Sequence, residues 1–351
     1  MTIVAIPTQT RSSISAEQHW DQFAQFALWE KAAGGPDPHM SLAGALSEPE
    51  SLEERRWRIG LYVGFYNVPS AEVAWVHWPF LRVRSEGIEA MTDWIGLNWK
   101  GFSFRRERRA VRTSRKMAEY LGSYWTWMVE LSKILRSNEE LSQEALYDLL
   151  WVSTNDNLRY AGRYACFKLL EALKRYGEVP AELPDIRPIG ADSPRYTLAW
   201  LYPNDAVPLL GGNSKYELKV VERCVRQGIE ELKTRVGVSA DFYSFEVYLC
   251  DYRQSWEGKR QYPGRSQDSE LDYHRKIAAY WGSQYKTRMW TMREQIFPYE
   301  CLGEQMGWTG VRKPLGLLLS QTGITWSDLI YDWPKSAGDP MKPIKRNGAE
   351  H

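Results

Sequence analysis

The chain has 351 residues, 43% hydrophobic and 25% charged, and its 45 Lys and Arg against 44 Asp and Glu leave a net charge of +1. This is globular composition at a length for one large or two ordinary domains, and it excludes a polycation held on nucleic acid by global charge. No run approaches the roughly eighteen apolar residues of a membrane span, the start MTIVAIPTQTRSS lacks a signal-peptide core, and Cys166, Cys224, Cys250 and Cys301 form no CxxC pair. A soluble cytoplasmic protein with reduced core cysteines is expected.

In chain order, Ser15-Ala-Glu-Gln signals a helix through about Ala33, ended by Gly34-Gly35-Pro36. Ser51-Leu-Glu-Glu opens another through Phe65, with Trp57, Leu61 and Phe65 four apart on one face. Periodicity predicts further helices near 68–80, 84–97, 112–136, 140–152, 157–176, 214–235, 239–256, 267–284 and 286–296. Alternating strands are scarce, so the fold class is mainly α and multi-helical, as one large compact unit or two helical lobes. The two lobes would be 1–150, with a basic stretch facing DNA, and 151–333, with the active-site motifs. A Lys-, Pro- and Gly-rich tail, 334–351, is expected to be flexible. Residues 177–190 carry three prolines and read, with 257–264, as irregular connections. Seventeen Trp and twenty Tyr against ten Phe are unusual. Most of these tryptophans belong in a core, with a minority available to stack on a base or sugar.

Four segments concentrate chemistry. Phe104–Lys116 holds seven basic residues and one acid, a local +6 in a nearly neutral chain. Arg105, Arg106, Arg108, Arg109 and Arg112 suit a DNA backbone, against the plainer alternative of a solvated helix face. In Asn155–Lys168, an Asn155 or Asp156 cap would set Arg159 and Arg163 one turn apart on one helix face, an anion site near a helix start. Arginines bridging to acids elsewhere are the competing explanation, and Lys168 on the opposite side reads as structural. Asp185–Arg195 reads as a stiff loop presenting Arg187, Ser193 and Arg195. Finally, Cys250–Glu270 gathers carboxylates (Asp251, Asp268, Glu270), cations (Lys259, Arg260, Arg265), the amide Gln254 and a Tyr262-Pro263-Gly264 turn. That mixture suits a charged leaving group and a nucleophile that must lose a proton, or else a structural ion-pair network. Motifs for kinases, dinucleotide binding, zinc hydrolysis and serine hydrolysis (GxxxxGK[ST], GxGxxG, HExxH, GxSxG) are absent, and the five histidines are scattered.

In their order, Asn157…Gly162-Arg163-Tyr164…Lys168-Leu169, Asp185-Ile186-Arg187-Pro188…Ser193-Pro194-Arg195 and Asp251-Tyr252…Gln254-Ser255…Gly258…Arg260…Tyr262-Pro263-Gly264-Arg265…Asp268-Ser269-Glu270-Leu271 resemble a bacteriophage family. It is the α-glutamyl/putrescinyl-thymine pyrophosphorylase family, or amino acid:DNA transferases, and the likeness covers roughly residues 55–275. The resemblance implies an enzyme of thymidine hypermodification in double-stranded phage DNA, inside the infected cell. A 5-hydroxymethyluracil base, already pyrophosphorylated on its hydroxymethyl, would lose pyrophosphate to a free amino acid (glycine favoured, serine or glutamate as alternatives) or to putrescine. It also implies a fold similar to helical DNA glycosylases, although no helix-hairpin-helix Leu-Pro-Gly-x-Gly signature occurs.

On that reaction, Asn157, Ser193 and Tyr262 join the substrate site, and Arg159, Arg163, Arg187, Arg195, Lys259, Arg260 and Arg265 are candidates to hold pyrophosphate. Asp251, Asp268 and Glu270 compete to take the ammonium proton, with Asp251 favoured as base and Asp268 as the orienting group. The same carboxylates can alternatively hold Mg²⁺, with no metal ligand set fixed and no cofactor required. Tyr164, Tyr252 or Tyr262 would line a pocket for an extruded base. Two other readings use the same residues: a glycosylase-like enzyme excising a modified base, and a non-catalytic DNA-binding protein.

Overall fold

The computed structural model describes residues 15–32, 40, 43–44, 50–104, 111–184, 192–256, 273 and 276–282, and among them all regular structure is helical. The chain forms two compact units, both discontinuous in sequence. The first comprises Met1–Pro38, Asp185–Asp268 and Phe297–His351; the second comprises His39–Pro184 and Ser269–Ile296. The chain thus leaves the first unit after its opening helix and returns to it after Pro184, so the compact units do not divide at residue 150. The predicted helices over 267–284 and 286–296 lie largely, and the tail 334–351 wholly, outside the described residues.

The second unit is built around α2 (Leu52–Phe65), which follows α1 (Ala16–Ala32) of the first unit in chain order. Ser51 caps α2 by accepting from the Glu54 backbone N–H at 3.3 Å, as the Ser-x-x-Glu signal predicts. Its stripe of Trp57, Leu61 and Phe65 is fully buried, but so are neighbours around the helix, Arg56 and Arg58 among them. A helix buried nearly all round must satisfy its polar groups internally. Arg56 donates to the Gly177 carbonyl at 2.9 Å and to Ser132 Oγ at 3.2 Å. Arg58 pairs with Glu72 under the Trp75 ring, 3.8 Å from its centroid. Close packing needs Gly60, because a Cβ there would stand 1.9 Å from the Tyr124 ring.

Around α2 pack α3 (Val68–His77), α4 (Phe80–Glu86), α6 (Ser114–Ser137) and α8 (Gly162–Tyr176), while α5 (Ile88–Leu97) packs on α6, and α7 (Gln143–Asn157) on α8. Two expected helices have different ends. The 84–97 helix is broken at Gly87, whose φ of +92° both ends α4 and precedes α5. The 157–176 helix begins only at Gly162, because α7 runs through to Asn157. Neither Asn155 nor Asp156 therefore caps the next helix; the Asn155 and Asn157 amides donate backward to the Trp151 and Ser153 carbonyls, each at 2.7 Å. Tyr160 and Gly162, at φ +56° and +64°, make the break.

The first unit packs α1 with α9 (Asp192–Leu201), the short α10 (Ala206–Leu210), α11 (Lys215–Val236) and α12 (Phe242–Trp256). Ser15 and Gln18 cap α1 reciprocally, at 2.8 and 3.2 Å, and Ser214 with Glu217 does the same for α11. The core contains Trp20, Phe23, Phe26, Leu198, Val221, Cys224, Phe245, Leu249 and Tyr252. No described tryptophan side chain of either unit is exposed, and Trp20, Trp57, Trp78 and Trp127 are buried while the others are half-buried; Tyr164, Tyr196, Tyr216 and Tyr280 are exposed.

This core also encloses polar groups. His19 on α1 is 4% exposed, stacks on Trp200 with centroids 5.5 Å apart, and sets Nδ1 3.3 Å from the Tyr252 hydroxyl, which reaches Gln22 Oε1 at 3.5 Å. Burial pushes the imidazole down from 6.5 to about 4. The folded state therefore binds this proton more weakly than the unfolded state. Stability is full above about 6.5 and falls as pH drops towards about 4, by about 3 kcal/mol for a shift of this size. In urea melts at pH 7.5 and pH 4.5, wild-type protein should lose about 2 to 3 kcal/mol more on acidification than His19→Gln does. Equal losses would show that His19 titrates alike in both states.

Candidate functional site

In the first unit, the segment expected as a stiff loop carrying Ser193 and Arg195 is helical. Pro194 sits in the first turn of α9, where a missing N–H costs nothing. Arg195 is correspondingly not a loop donor at the surface. It is 5% exposed, and its Nη1 donates to the Gly211 and Gly212 carbonyls at 3.1 and 2.8 Å, tying α9 to the turn after α10. Ser193, two residues earlier, is half-buried.

Helix α9 lies against α12. Thr197 Oγ1 donates to the Leu249 carbonyl at 2.8 Å, and the Arg253 guanidinium stands 4.0 Å over the Tyr196 ring. These contacts set residues 195–197 beside residues 249–253 and fix the register of Asp251, which is 5% exposed. It follows the largely apolar first turns of α12. Tyr252 is fully buried in the core, and burial pushes its hydroxyl well above the ordinary tyrosine range. It packs edge-on against Phe23 and Phe26 and does not line a base pocket in the described unit. A shallow cleft of about 710 Å³, lined by Glu17, Trp20, Tyr202, Arg226, Glu230 and Arg235 among others, contains none of the expected site residues. There Arg235 is already engaged by Glu17, Asp21 and Glu231 at 2.6–2.8 Å.

In the second unit, Asn157, Arg159 and Arg163 are all exposed. Because α8 starts at Gly162, Arg159 lies in the preceding turn and does not stack one helical turn before Arg163 as expected. Tyr164 is 37% exposed, and its hydroxyl meets that of Tyr66 at 2.9 Å. Lys168 is buried and pairs with Glu171 at 2.9 Å, the structural role expected of it. Arg112 is exposed just before Thr113, which caps α6.

Arg105, Arg106, Arg108, Arg109, Arg187, Lys259, Arg260, Tyr262, Arg265, Asp268 and Glu270 lie outside the described residues, as does the side chain of Gln254. Among the described residues no three His, Cys, Asp or Glu side chains gather as a metal site, and no helix is long and apolar enough to cross a membrane. Sequence reasoning passed over Glu246, 5% exposed on α12. The signal was a lone acid inside the apolar run 242–250.

Residues 53–259 match the family described as Amino acid:DNA transferase. That span is more than half of the chain and runs from the first turn of α2 past the end of α12. The chain belongs to the amino acid:DNA transferase family. It is accordingly a transferase whose substrates are an amino acid and DNA. No curated protein and no solved structure matches the chain. Arg159, Arg163, Ser193, Arg195 and Asp251 lie inside the matched span, as does the basic segment ahead of α6.

Proposed function

We propose that this transferase displaces pyrophosphate from 5-(pyrophosphoryloxymethyl)uracil in phage DNA with an amino acid, glycine first among the candidates and serine or glutamate next. The amino nitrogen attacks the exocyclic methylene, a C–N bond forms as the C–O bond breaks, and pyrophosphate leaves with the electron pair. The nucleophile gives up its ammonium proton to a carboxylate, assigned to Asp251. Arginine forks hold the leaving group, with Arg163, Arg187 and Arg265 from three separate segments as the proposed set. Asp268 orients the ammonium or, if Mg²⁺ takes part, would supply an oxygen ligand to it.

The observation that carries this reading is the family match across 53–259, which spans both the exposed arginines before and within α8 and the buried carboxylate on α12. The test is to incubate the protein with DNA bearing pyrophosphorylated hydroxymethyluracil and a panel of amino acids, then digest the DNA and weigh its nucleosides. The expected product is released pyrophosphate together with a nucleoside heavier than hydroxymethyldeoxyuridine by one amino acid less water. Unchanged nucleosides with every amino acid would overturn the proposal. A released base with an abasic site would select excision instead.

A further inference from the structure

The turn between α7 and α8 is fastened to the first half of α6. The Arg159 backbone N–H donates to Ser123 Oγ at 3.0 Å, and the Tyr160 hydroxyl donates to Glu119 Oε2 at 2.9 Å. The Lys116 ammonium stands 5.4 Å over the Tyr160 ring. Residues 116, 119 and 123 share one face of α6, so these contacts run along one stripe. Tyr160 adopts φ +56°, a conformation that a bulky residue keeps only when its surroundings over-determine it. Here the hydroxyl anchor and the cation above the ring do so. The direction in which the chain presents Arg159 is therefore set before any ligand arrives.

The corner so formed carries Arg112, Arg115, Lys116, Arg159 and Arg163 against the acids Glu119 and Asp156. Glu119 is already occupied by the Tyr160 hydroxyl and lies 3.8 Å from Arg115. Elsewhere exposed arginines lean on acids of their own helix, as Arg82 does on Glu86 and Arg226 on Glu222. Among the described residues neither Arg159 nor Arg163 forms such a pair. In sequence, the run Arg105-Arg106-Glu107-Arg108-Arg109 ends three residues before Arg112.

We infer that Arg115, Lys116 and Arg159 form one surface that contacts the phosphodiester backbone of duplex DNA, and that Arg159 belongs to this surface and not to the pyrophosphate site. The inference rests on DNA being the substrate. A polyanion fits the corner better than a small anion does. Arg115 and Arg159 are exposed, Arg115 to 80%, while Lys116 is half-buried, and an exposed single contact to a free anion is weak and screened. Along DNA each neutralised phosphate releases counterions, so several modest exposed contacts add.

The test is the salt dependence of binding to a fluorescent, unmodified thymidine-containing duplex, read by anisotropy. The triple variant Arg115→Gln, Lys116→Gln, Arg159→Gln should bind at least tenfold more weakly at low salt. Its slope of log K against log salt should be shallower by about 2 to 3, at about 0.9 per lost phosphate contact. Arg159→Gln alone should flatten the slope by about 0.9, which keeps the test valid if the triple variant does not fold. Arg82→Gln, which removes one exposed cation from the same unit, should leave the slope unchanged. Wild-type binding with the same slope in all the variants would overturn the inference while leaving the transferase reading in place. Failure of the wild-type protein to bind DNA at low salt would overturn both. Inorganic pyrophosphate that displaces DNA from wild-type protein, but not from Arg159→Gln, beyond the effect of matched ionic strength would return Arg159 to the small-anion site.

Discussion

Asp251→Asn is expected to lower turnover by about a hundredfold or more while the helical fold persists, the range of loss for a removed general base. The amide is nearly isosteric with the carboxylate and keeps an acceptor oxygen, but it cannot take a proton from the amino acid. The geometry makes the substitution informative. Asp251 is 5% exposed on α12, between core residues Leu249 and Tyr252, and the Thr197–Leu249 hydrogen bond holds that part of α12 against α9. A side chain so fixed loses little by ordering when substrate binds, a condition for efficient proton transfer. A purely structural Asp251 would give a different pattern: lower stability and lower turnover together, with the shape of the pH–rate profile retained. A base instead leaves its mark in that shape, so the Asn variant should lose the limb on which rate rises with pH. Retention of that limb, or turnover close to wild type, would remove Asp251 from the chemistry. The proton would then fall to Asp268 or Glu270.

How far such a site could be read from the sequence depends on which forces placed each residue. Local rules were enough for Ser15 and Ser51, whose caps involve atoms three residues away, and for the stripe Trp57, Leu61 and Phe65, which is 0% exposed throughout. Periodicity ran straight through Gly87, because a helical pattern says nothing of one glycine that adopts φ +92°. The break at Tyr160 was hidden for a related reason. Asn155 and Asp156 are equally good at the start of a helix and near its end, and it is the left-handed turn, held by Glu119 on another helix, that decides between them. Arg195 shows the same limit at the site itself. Asp192-Ser193-Pro194 suits both a turn and a first helical turn, and the burial of Arg195 depends on carbonyls of Gly211 and Gly212 brought back by tertiary structure. Chemistry-bearing residue types were legible from composition; their surroundings came from contacts sixteen or more residues away.

Lys168→Met should destabilise the protein by about 3 kcal/mol or more, enough to lower the urea midpoint clearly, because it breaks a buried ion pair from one side. Lys168 Nζ lies 2.9 Å from Glu171 Oε2, one turn apart on α8, and the two side chains are 1% and 2% exposed. The ammonium also lies 5.3 Å from the Phe167 ring centroid and 6.0 Å from that of Tyr164. Methionine fills most of the lysine volume, so the loss is electrostatic more than steric: Glu171 keeps its charge and its burial but loses its nearest cation. Arg175, 3.1 Å from the other carboxylate oxygen, is 35% exposed and shared with solvent, and so offsets only part of that loss. Removing both partners should therefore cost less than removing one. Lys168→Met with Glu171→Leu is expected to recover much of the single-variant loss, since no charge is then stranded in the core. The consequence reaches the site through α8, whose exposed beginning carries Arg163 and Tyr164. If the pair is an anchor, the double variant regains turnover along with stability. If the double variant is stable and remains inactive, Lys168 acts in the reaction itself, and its burial beneath Tyr164 has to be understood as part of the site and not of its support.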